Sequence, residues 1–353
     1  MELYILDNTF ARIAVIDEFT SLIWTKRYYT CGDFELYIPA DDMLLPYLDP
    51  DESSEKYIER DDDDTIMIIE TLAIKTDVEN GDYFIVTGRS LESILARRVI
   101  LSQTVVNNSD VVQGMKSLIV AHTGNGNPLS YRAFQNFSID DSLTYTADIV
   151  TQFTGDVLLD AVSGICKRFG IGMKMTVSGS AITLAFFVGP SVDVTFSPDF
   201  DNLINSQYLK DYTSYANYAI VAGEGEGTSR IMMNVMRGTA ASGFQLREMF
   251  VDARDMSSNK GKETEIPSIE YLAMLAERGK EKLAERVATQ SFEADVEPRM
   301  TYQYKDDWNL GDVVKVTNEY GITAQPRIVE IIECWDAEGY TAIPTFDSLD
   351  IVS

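Results

Sequence analysis

The sequence predicts an α+β protein that is mainly β, and three observations carry that expectation. Short aromatic and β-branched runs with period-two alternation crowd both ends of the chain. Glycine-bearing turn signals recur between these runs at close intervals. Helical periodicity is confined to a few segments in the middle and later parts. The clearest stretch is Leu22 to Ile38, two strands joined by a turn at Gly32. Phe34, Leu36 and Ile38 alternate with Glu35 and Tyr37, so one face is expected in the core and the other in water. Pro39 ends the pattern because it has no N–H for a ladder. Trp24 and Phe34 are expected to pack, with Glu35 facing out.

Residues 1–100 read mostly as strand: Leu3–Leu6, Arg12–Ile16, Ser21–Tyr28, Asp33–Ile38, Thr65–Lys75 and Asp82–Gly88. Asn80-Gly81 is the strongest hairpin cue, because a type I′ turn wants positive φ at both positions. A helical turn follows from Ser90, with Leu91, Ile94 and Leu95 on one side. Asp49 to Asp64 reads as a polar acidic loop inserted between barrel-like strands. From about 104 the texture becomes mixed. Ser109–Ala121 is expected to be a helix capped by Asn108 or Ser109, with Val112, Met115, Leu118 and Ile119 at helical spacing. Residues 124–128 form a Gly/Asn/Pro loop. Asp156–Phe169 is a second helix, with Leu158, Val162, Ile165 and Phe169 on one face. Lys167 and Arg168 lie in its last turn and Gly170 closes it. A hairpin, Met173–Val177 with Ala181–Val188, turns at Ser178-Gly179-Ser180.

Residues 197–255 return to strand, with Tyr208, Tyr212, Tyr215 and Tyr218 crowding the approach to Ala219–Ala222. One long helix is predicted from Ser268 to about Thr289, opened by Pro267. Its apolar line is Leu272, Leu275, Ala276, Gly279, Leu283 and Val287. Gly279 costs roughly 1 kcal/mol against Ala in a helix, which points to a close backbone approach. The remainder is strand again: Met300–Tyr304, Val313–Thr317, Arg327–Trp335 and Tyr340–Phe346, with turns at 309–312, 319–321 and 337–339. Strands this short and close suit a small barrel or sandwich.

A chain of 353 residues is long for one core. The texture divides it into a β-barrel-like module at 1–103, a mixed α+β module at 104–196, and a β-rich module with the long helix at 197–353. No run of about 18 apolar residues is present, against a transmembrane helix. The start MELYILDNTF lacks the basic and apolar regions of a signal peptide. Cys31, Cys166 and Cys334 are odd in number and far apart, so free thiols in a reducing compartment are expected. The formal net charge of −27 repels phosphates and anionic membranes, disfavouring DNA binding or a membrane-surface role.

Chemistry is hard to find. The one histidine, His122, sits at a helix end near its apolar face, with no nucleophile context, and reads as structural. In Gly223-Glu224-Gly225-Glu226-Gly227 two glutamates would repel a phosphate and the chain continues as strand, so this is a β-turn. The run Asp61-Asp62-Asp63-Asp64 lacks the alternating ligands of a calcium loop; it reads as a solvated loop, with a loose divalent site as the alternative. Carboxylates for glycoside hydrolysis are abundant but unplaced. No catalytic, cofactor-binding or metal-binding residue is assigned, and no cofactor is expected.

Four blocks taken together resemble siphophage tail hub proteins, relatives of the central baseplate hub of contractile-tailed phages. The first runs from Ser21-Leu22-Ile23-Trp24 to Gly32-Asp33-Phe34-Glu35-Leu36. The second is Gly88-Arg89-Ser90-Leu91 with Leu95 and Arg97-Arg98. The third runs from Phe196-Ser197-Pro198-Asp199-Phe200 through Tyr215-Ala216-Asn217-Tyr218 to Gly223 and Arg230. The fourth joins Asn309-Leu310-Gly311-Asp312, Arg327 to Ile331, and Gly339 to Phe346. The resemblance implies a homotrimer in which each chain gives two barrel-like modules to a ring around the tail axis, in the virion. It also implies neighbours: a distal tail or tail-tube protein, a tape-measure protein, and tip or receptor-binding proteins. An acidic lumen would let DNA and the tape-measure protein pass. Some relatives continue into a peptidase or wall-hydrolase domain; ending at Ser353, this sequence is expected to be a hub alone. A contractile-tail or injection-system hub is the runner-up, and a cell-wall glycan-binding or hydrolytic protein is the rival from another class.

Overall fold

The computed structural model describes residues 1–51, 54–76, 81–124, 129–202, 205–238, 241–258, 268–295, 301–321 and 323–347. The first segment holds β1 (Leu3–Leu6), β2 (Arg12–Ile16), β3 (Ser21–Arg27), β4 (Asp33–Pro39), a short helix α1 (Leu45–Leu48), β5 (Tyr57–Arg60), β6 (Ile66–Lys75) and β7 (Tyr83–Ser90). The alternation read from the sequence is the one observed. Phe34, Leu36 and Ile38 are buried, Glu35 and Tyr37 are not, and Trp24 pairs across the ladder with Phe34 at 5.8 Å between rings. Pro39 extends β4 as its last residue, opposite Tyr83. The β6–β7 hairpin forms with Lys75 opposite Tyr83, and Gly81 adopts φ +81°. Asn80 lies outside the described residues. Leu91, Ile94 and Leu95 are buried in a single 3₁₀ helix, Leu91–Arg97.

The acidic loop expected at Asp49–Asp64 is corrected: β5 lies inside it, paired with β1 on one side and β6 on the other. Polar neighbours masked a strand whose Tyr57, Ile58 and Arg60 are all buried.

The middle segment contains β8 (Thr104–Asp110), α2 (Val111–Thr123), β9 (Phe137–Ile139), β10 (Thr146–Phe153), α3 (Leu158–Phe169), β11 (Gly172–Ser178) and β12 (Ala181–Phe187). The cap of α2 is Asp110, whose carboxylate accepts the Gln113 N–H at 2.9 Å. Asn108 and Ser109, the two residues expected there, both lie in β8 instead, Asn108 opposite Ile149. Gly170 takes the left-handed conformation at the end of α3, φ +67°, as its position predicts. The β11–β12 hairpin turns where expected.

The last segment contributes β13 (Ser191–Phe196), β14 (Asn205–Asp211), β15 (Tyr218–Ala222), β16 (Met232–Met236), β17 (Glu248–Asp252), α4 (Ser268–Ala284), β18 (Thr289–Asp295), β19 (Val313–Thr317), β20 (Thr323–Ala324), β21 (Ile328–Asp336) and β22 (Gly339–Phe346). Two expectations change here. Helix α4 stops at Ala284, because Thr289 is taken by the ladder with Asp211. Residues 301–304 form bends and one bridge, Tyr304 with Trp308, where a strand was expected; Met300 lies outside the described residues, as does Pro267. The buried face of α4 is Tyr271, Met274, Leu275, Gly279 and Leu283, one position off the predicted line at its start, with Leu272 turned outward.

The strand-rich ends meet. Eleven strands form one sheet in the order β14-β18-β22-β21-β3-β4-β7-β6-β5-β1-β2, with β21 antiparallel to β3. Where two barrel-like modules were expected, the strands of both ends run into this single open sheet, and no barrel closes among the described residues. One face of its N-terminal part encloses Leu3, Leu22, Trp24 and Leu36. Its other face, through Leu6, Ile66 and Ile68, packs on α2 and α3 of the middle segment. Helix α4 lies on the small sheet β16-β15-β17.

Gly279 is where helix and sheet touch. A Cβ there would come 2.6 Å from Val235 Cγ2 and 2.8 Å from Val221 Cγ2. Gly164 in α3 has nothing within 4 Å. Gly279→Leu will therefore destabilise by about 1–3 kcal/mol through overpacking. Gly164→Ala will stabilise by up to about 1 kcal/mol. Urea unfolding midpoints measure both; equal shifts of one sign would contradict the contact.

Candidate functional site

The densest chemistry lies where the three segments meet, around a cleft of about 820 Å³. Strand β3, the turn 61–64, the β11–β12 hairpin and the stretch 304–310 supply its walls. Beneath it, Arg60 at the end of β5 is wholly buried and reaches Glu333 on β21. Its two terminal nitrogens donate to the two Glu333 oxygens at 3.0 and 3.2 Å. Two parallel N–H···O bonds match the planar guanidinium to the carboxylate. The guanidinium also lies 4.2 Å from the Trp335 ring centroid and 5.4 Å from that of Trp24. Tyr340 donates its hydroxyl to Glu333 at 3.1 Å.

Two further cations complete the cluster. Lys26 Nζ sits 2.5 Å from Asp63 and 3.4 Å from Glu333. Lys305 reaches Asp62 at 3.3 Å and Asp63 at 3.6 Å. Burial works against charge throughout, and the partners override it. Burial opposes the Lys26 ammonium, yet Tyr304, Asp63 and Glu333 around it hold its pKa above the usual lysine range. Burial opposes the Asp63 carboxylate, yet Lys26, Thr65 and Arg60 hold it well below the usual carboxylate range. Tyr304 is pushed up to about 12, chiefly by burial. Across the cleft, burial raises the pKa of Glu92, which accepts the Met175 N–H at 2.6 Å.

The aspartate run is an exposed turn at Asp61, Asp62 and Asp64, as the sequence suggests, and each of its four carboxylates is also engaged by another part of the protein. Asp61 accepts the Glu2 N–H at 3.0 Å, Asp62 faces Arg60 at 2.7 Å, Asp63 is buried on Lys26, and Asp64 pairs with Lys174 at 2.6 Å. Each carboxylate ties the turn to a different piece of chain. Among the described residues no group of three or more His, Cys, Asp or Glu is placed to hold a metal ion.

Beside the cleft, Tyr28 acts as a peg through the same junction. Its hydroxyl lies 3.1 Å from the carbonyls of both Gly170 and Phe187 and accepts the Gly189 N–H at 3.2 Å. The ring is flanked by Gly172 and Gly311, where a Cβ would come within 2.3 and 2.4 Å. Arg327 covers it at 5.3 Å. The remaining sequence candidates are structural. His122 is buried, 3.3 Å from Thr104 Oγ1, with its pKa lowered by burial and by Arg132. The glycine run links β15 to antiparallel β16 by a turn pinned by Arg230 on the Gly223 carbonyl. The three cysteines are free thiols. Trp24 and Trp308 are fully buried, and Trp335 packs against Tyr340 with the rings tilted at 38° and 4.9 Å apart.

Sequence reasoning missed the Arg60–Glu333 pair because 273 positions separate its members. The one available signal was a charge at an inward position of each strand. The arrangement binds chain to chain; its cations and carboxylates satisfy one another.

Removing one partner of a buried pair strands the other charge. Glu333→Ala will therefore cost about 3–5 kcal/mol, and Arg60→Met with Glu333→Leu will recover most of it. A double-mutant cycle by urea unfolding checks this; additive losses would contradict the pairing. Asp63 also sets a pH dependence. Its native pKa is depressed below the ordinary 3.8, so its contribution is whole above that value and is lost as pH falls through the native one. Stability will decline below about pH 4, and Asp63→Asn will be less stable at neutral pH with a shallower acid decline. Parallel acid curves for the two proteins would contradict it.

Comparison with known proteins agrees with this architecture. The sequence profile described as siphovirus ReqiPepy6 Gp37-like protein matches residues 2–346. A tail protein from Neisseria meningitidis MC58 superposes with TM-score 0.61 at 15% identity, covering 98% of this chain and 96% of that one. The 43 kDa tail protein of prophage MuSo2 from Shewanella oneidensis gives 0.60 at 12%, over 99% and 98%. Prophage tail protein gp18 from Listeria monocytogenes EGD-e gives 0.60 at 10%, over 99% and 95%. Curated proteins compared by sequence give no match. With a profile spanning nearly the whole chain and a phage-tail fold shared end to end, this chain belongs to the siphovirus ReqiPepy6 Gp37-like family of phage tail proteins.

Proposed function

We propose that this tail protein is a non-enzymatic hub of the tail tip, three copies forming a ring that closes or continues the tail tube. The carrying observation is the open eleven-stranded sheet. Among the described residues, β2 pairs only with β1 and β14 only with β18, so each chain presents one free edge at either end. Exposed edges are a liability unless something covers them. Head-to-tail pairing of β14 with β2 of a neighbour is heterologous, and such contacts generate a ring when the rotation closes.

The ring would meet the distal tail or tail-tube protein on one side and tip or receptor-binding proteins on the other. The tape-measure protein and DNA would pass through it. A net charge of −27 supports this: acidic walls repel phosphate and let DNA slide. The domain division at 1–103, 104–196 and 197–353 belongs to the same proposal, with both end modules building the ring wall. A contractile-tail hub would share this fold; the siphovirus family favours the non-contractile tail. A glycan-binding protein would display exposed tryptophans, and here Trp24 and Trp308 are buried. No helix among the described residues is long and apolar enough to cross a membrane.

Size-exclusion chromatography with light scattering will give three times the chain mass. A monomer at all accessible concentrations would overturn the reading.

A further inference from the structure

Every pairing in the eleven-stranded sheet is antiparallel, from β14 with β18 at one edge to β1 with β2 at the other. Direction therefore alternates from strand to strand. Eleven is odd, so the two edge strands, β14 and β2, run the same way across the sheet.

The two edges also present matching faces. Tyr208 on β14 packs with Ile331 and Phe346. Ile331 lies on the side of β21 that carries Glu333, and Glu333 stands opposite Trp24 of β3. Trp24 in turn shares its core with Ile16 and Ala14 of β2. Tyr208, Ala14 and Ile16 thus face one side, and alternation turns Leu209 and Val15 to the other. Leu209 and Val15 are each 44% exposed. A junction that continues the sheet from copy to copy brings these two apolar side chains onto one face. It carries the core side onward through Tyr208, Ala14 and Ile16. An uncovered edge pairs readily with another strand, and the opposite edge of a second copy supplies one with the same sidedness.

Rotation about a ring axis carries each strand of one copy onto the same strand of the next without reversing its sense round the ring. We infer that β14 of one copy and β2 of the next pair in parallel, so each junction is a parallel ladder in a wall that is antiparallel within every chain. The inference rests on the ring proposed above and fixes the direction of its junctions. Parallel neighbours in one chain need a crossover of a dozen or more residues, whereas strands of different chains need no connection. A parallel ladder is also slightly less stable per residue, so the junctions part before the sheet of either copy does.

Cysteine pairs read the direction. Ile13→Cys or Val15→Cys is combined with Gln207→Cys, Leu209→Cys or Asp211→Cys in the full chain. The assembled protein is oxidised, and linked copies are counted by denaturing electrophoresis without reductant, with the wild type and its own three cysteines as background. A disulfide needs Cα atoms within about 7 Å, so the matched pairs will link about tenfold above the rest. Parallel pairing links positions that advance together: Ile13 with Gln207 and Val15 with Leu209, or Ile13 with Leu209 and Val15 with Asp211. Positions that run oppositely, Ile13 with Asp211 and Val15 with Leu209, or Ile13 with Leu209 and Val15 with Gln207, overturn the inference and leave the ring standing. One further pair is included because β5 pairs with β6 only along Ile66–Ile68, and Ile74 beyond it is 53% exposed. A trimer that links Leu209→Cys to Ile74→Cys places β14 on the outer half of β6 and overturns the inference, as does a trimer with no link in any pair. A chain that light scattering finds monomeric overturns the ring and the inference with it.

Discussion

Burial of the Arg60 guanidinium is tolerable because Glu333 meets two of its nitrogens at hydrogen-bond distance, with Asp62 behind it and two indole rings around it. Glu333 belongs to β21 and Arg60 to β5, so this pair exists only when the two ends of the chain lie in one sheet. Desolvating both ions is costly, and the geometry that offsets it is specific to a single register. Aliphatic side chains could fill the same space in several ways. The bidentate pair allows one, with β21 beside β3 and Glu333 opposite Trp24.

The neighbouring contacts then fall into place around that register. Lys26 stands two residues beyond Trp24 on β3 and brings in Asp63, which fixes the turn after β5. Tyr28, one residue past the end of β3, reaches through to the middle segment at Gly170 and Phe187 and is flanked by Gly311 of the last. Within the five residues Trp24 to Tyr28, the end of β3 and the residue after it thus carry a core aromatic, an ion pair and a three-way peg. A sheet held this firmly at its middle has its freedom at its ends. Those ends, β14 and β2, are the edges that the ring reading uses.

Much of this was legible in the sequence where the signal is local. Alternation from Phe34 to Ile38, the Gly170 cap and the β11–β12 hairpin depend on near neighbours, and they stand as read. The losses came where tertiary context decides. Strand β5 sits among acidic residues whose charges are neutralised by groups far along the chain, so Tyr57–Arg60 looked like loop. The cap of α2 moved to Asp110 because the ladder had already taken Asn108. Helix α4 ended early because a strand partner claimed Thr289. Gly279 was readable as a close approach, but not which valines approach it. The aspartate run shows the limit best: composition reports four like charges, and only the fold assigns each a different partner.

The central claim is that the two free edges of one continuous sheet pair between copies. Amide hydrogen exchange, followed segment by segment above and below the concentration of assembly, tests it most directly. The account predicts that Arg12–Ile16 and Asn205–Asp211 gain protection together on assembly, while Ser21–Arg27 and Ile328–Asp336 are protected in both states. Edge strands that exchange as freely in the assembled particle as in the separate chain would contradict it.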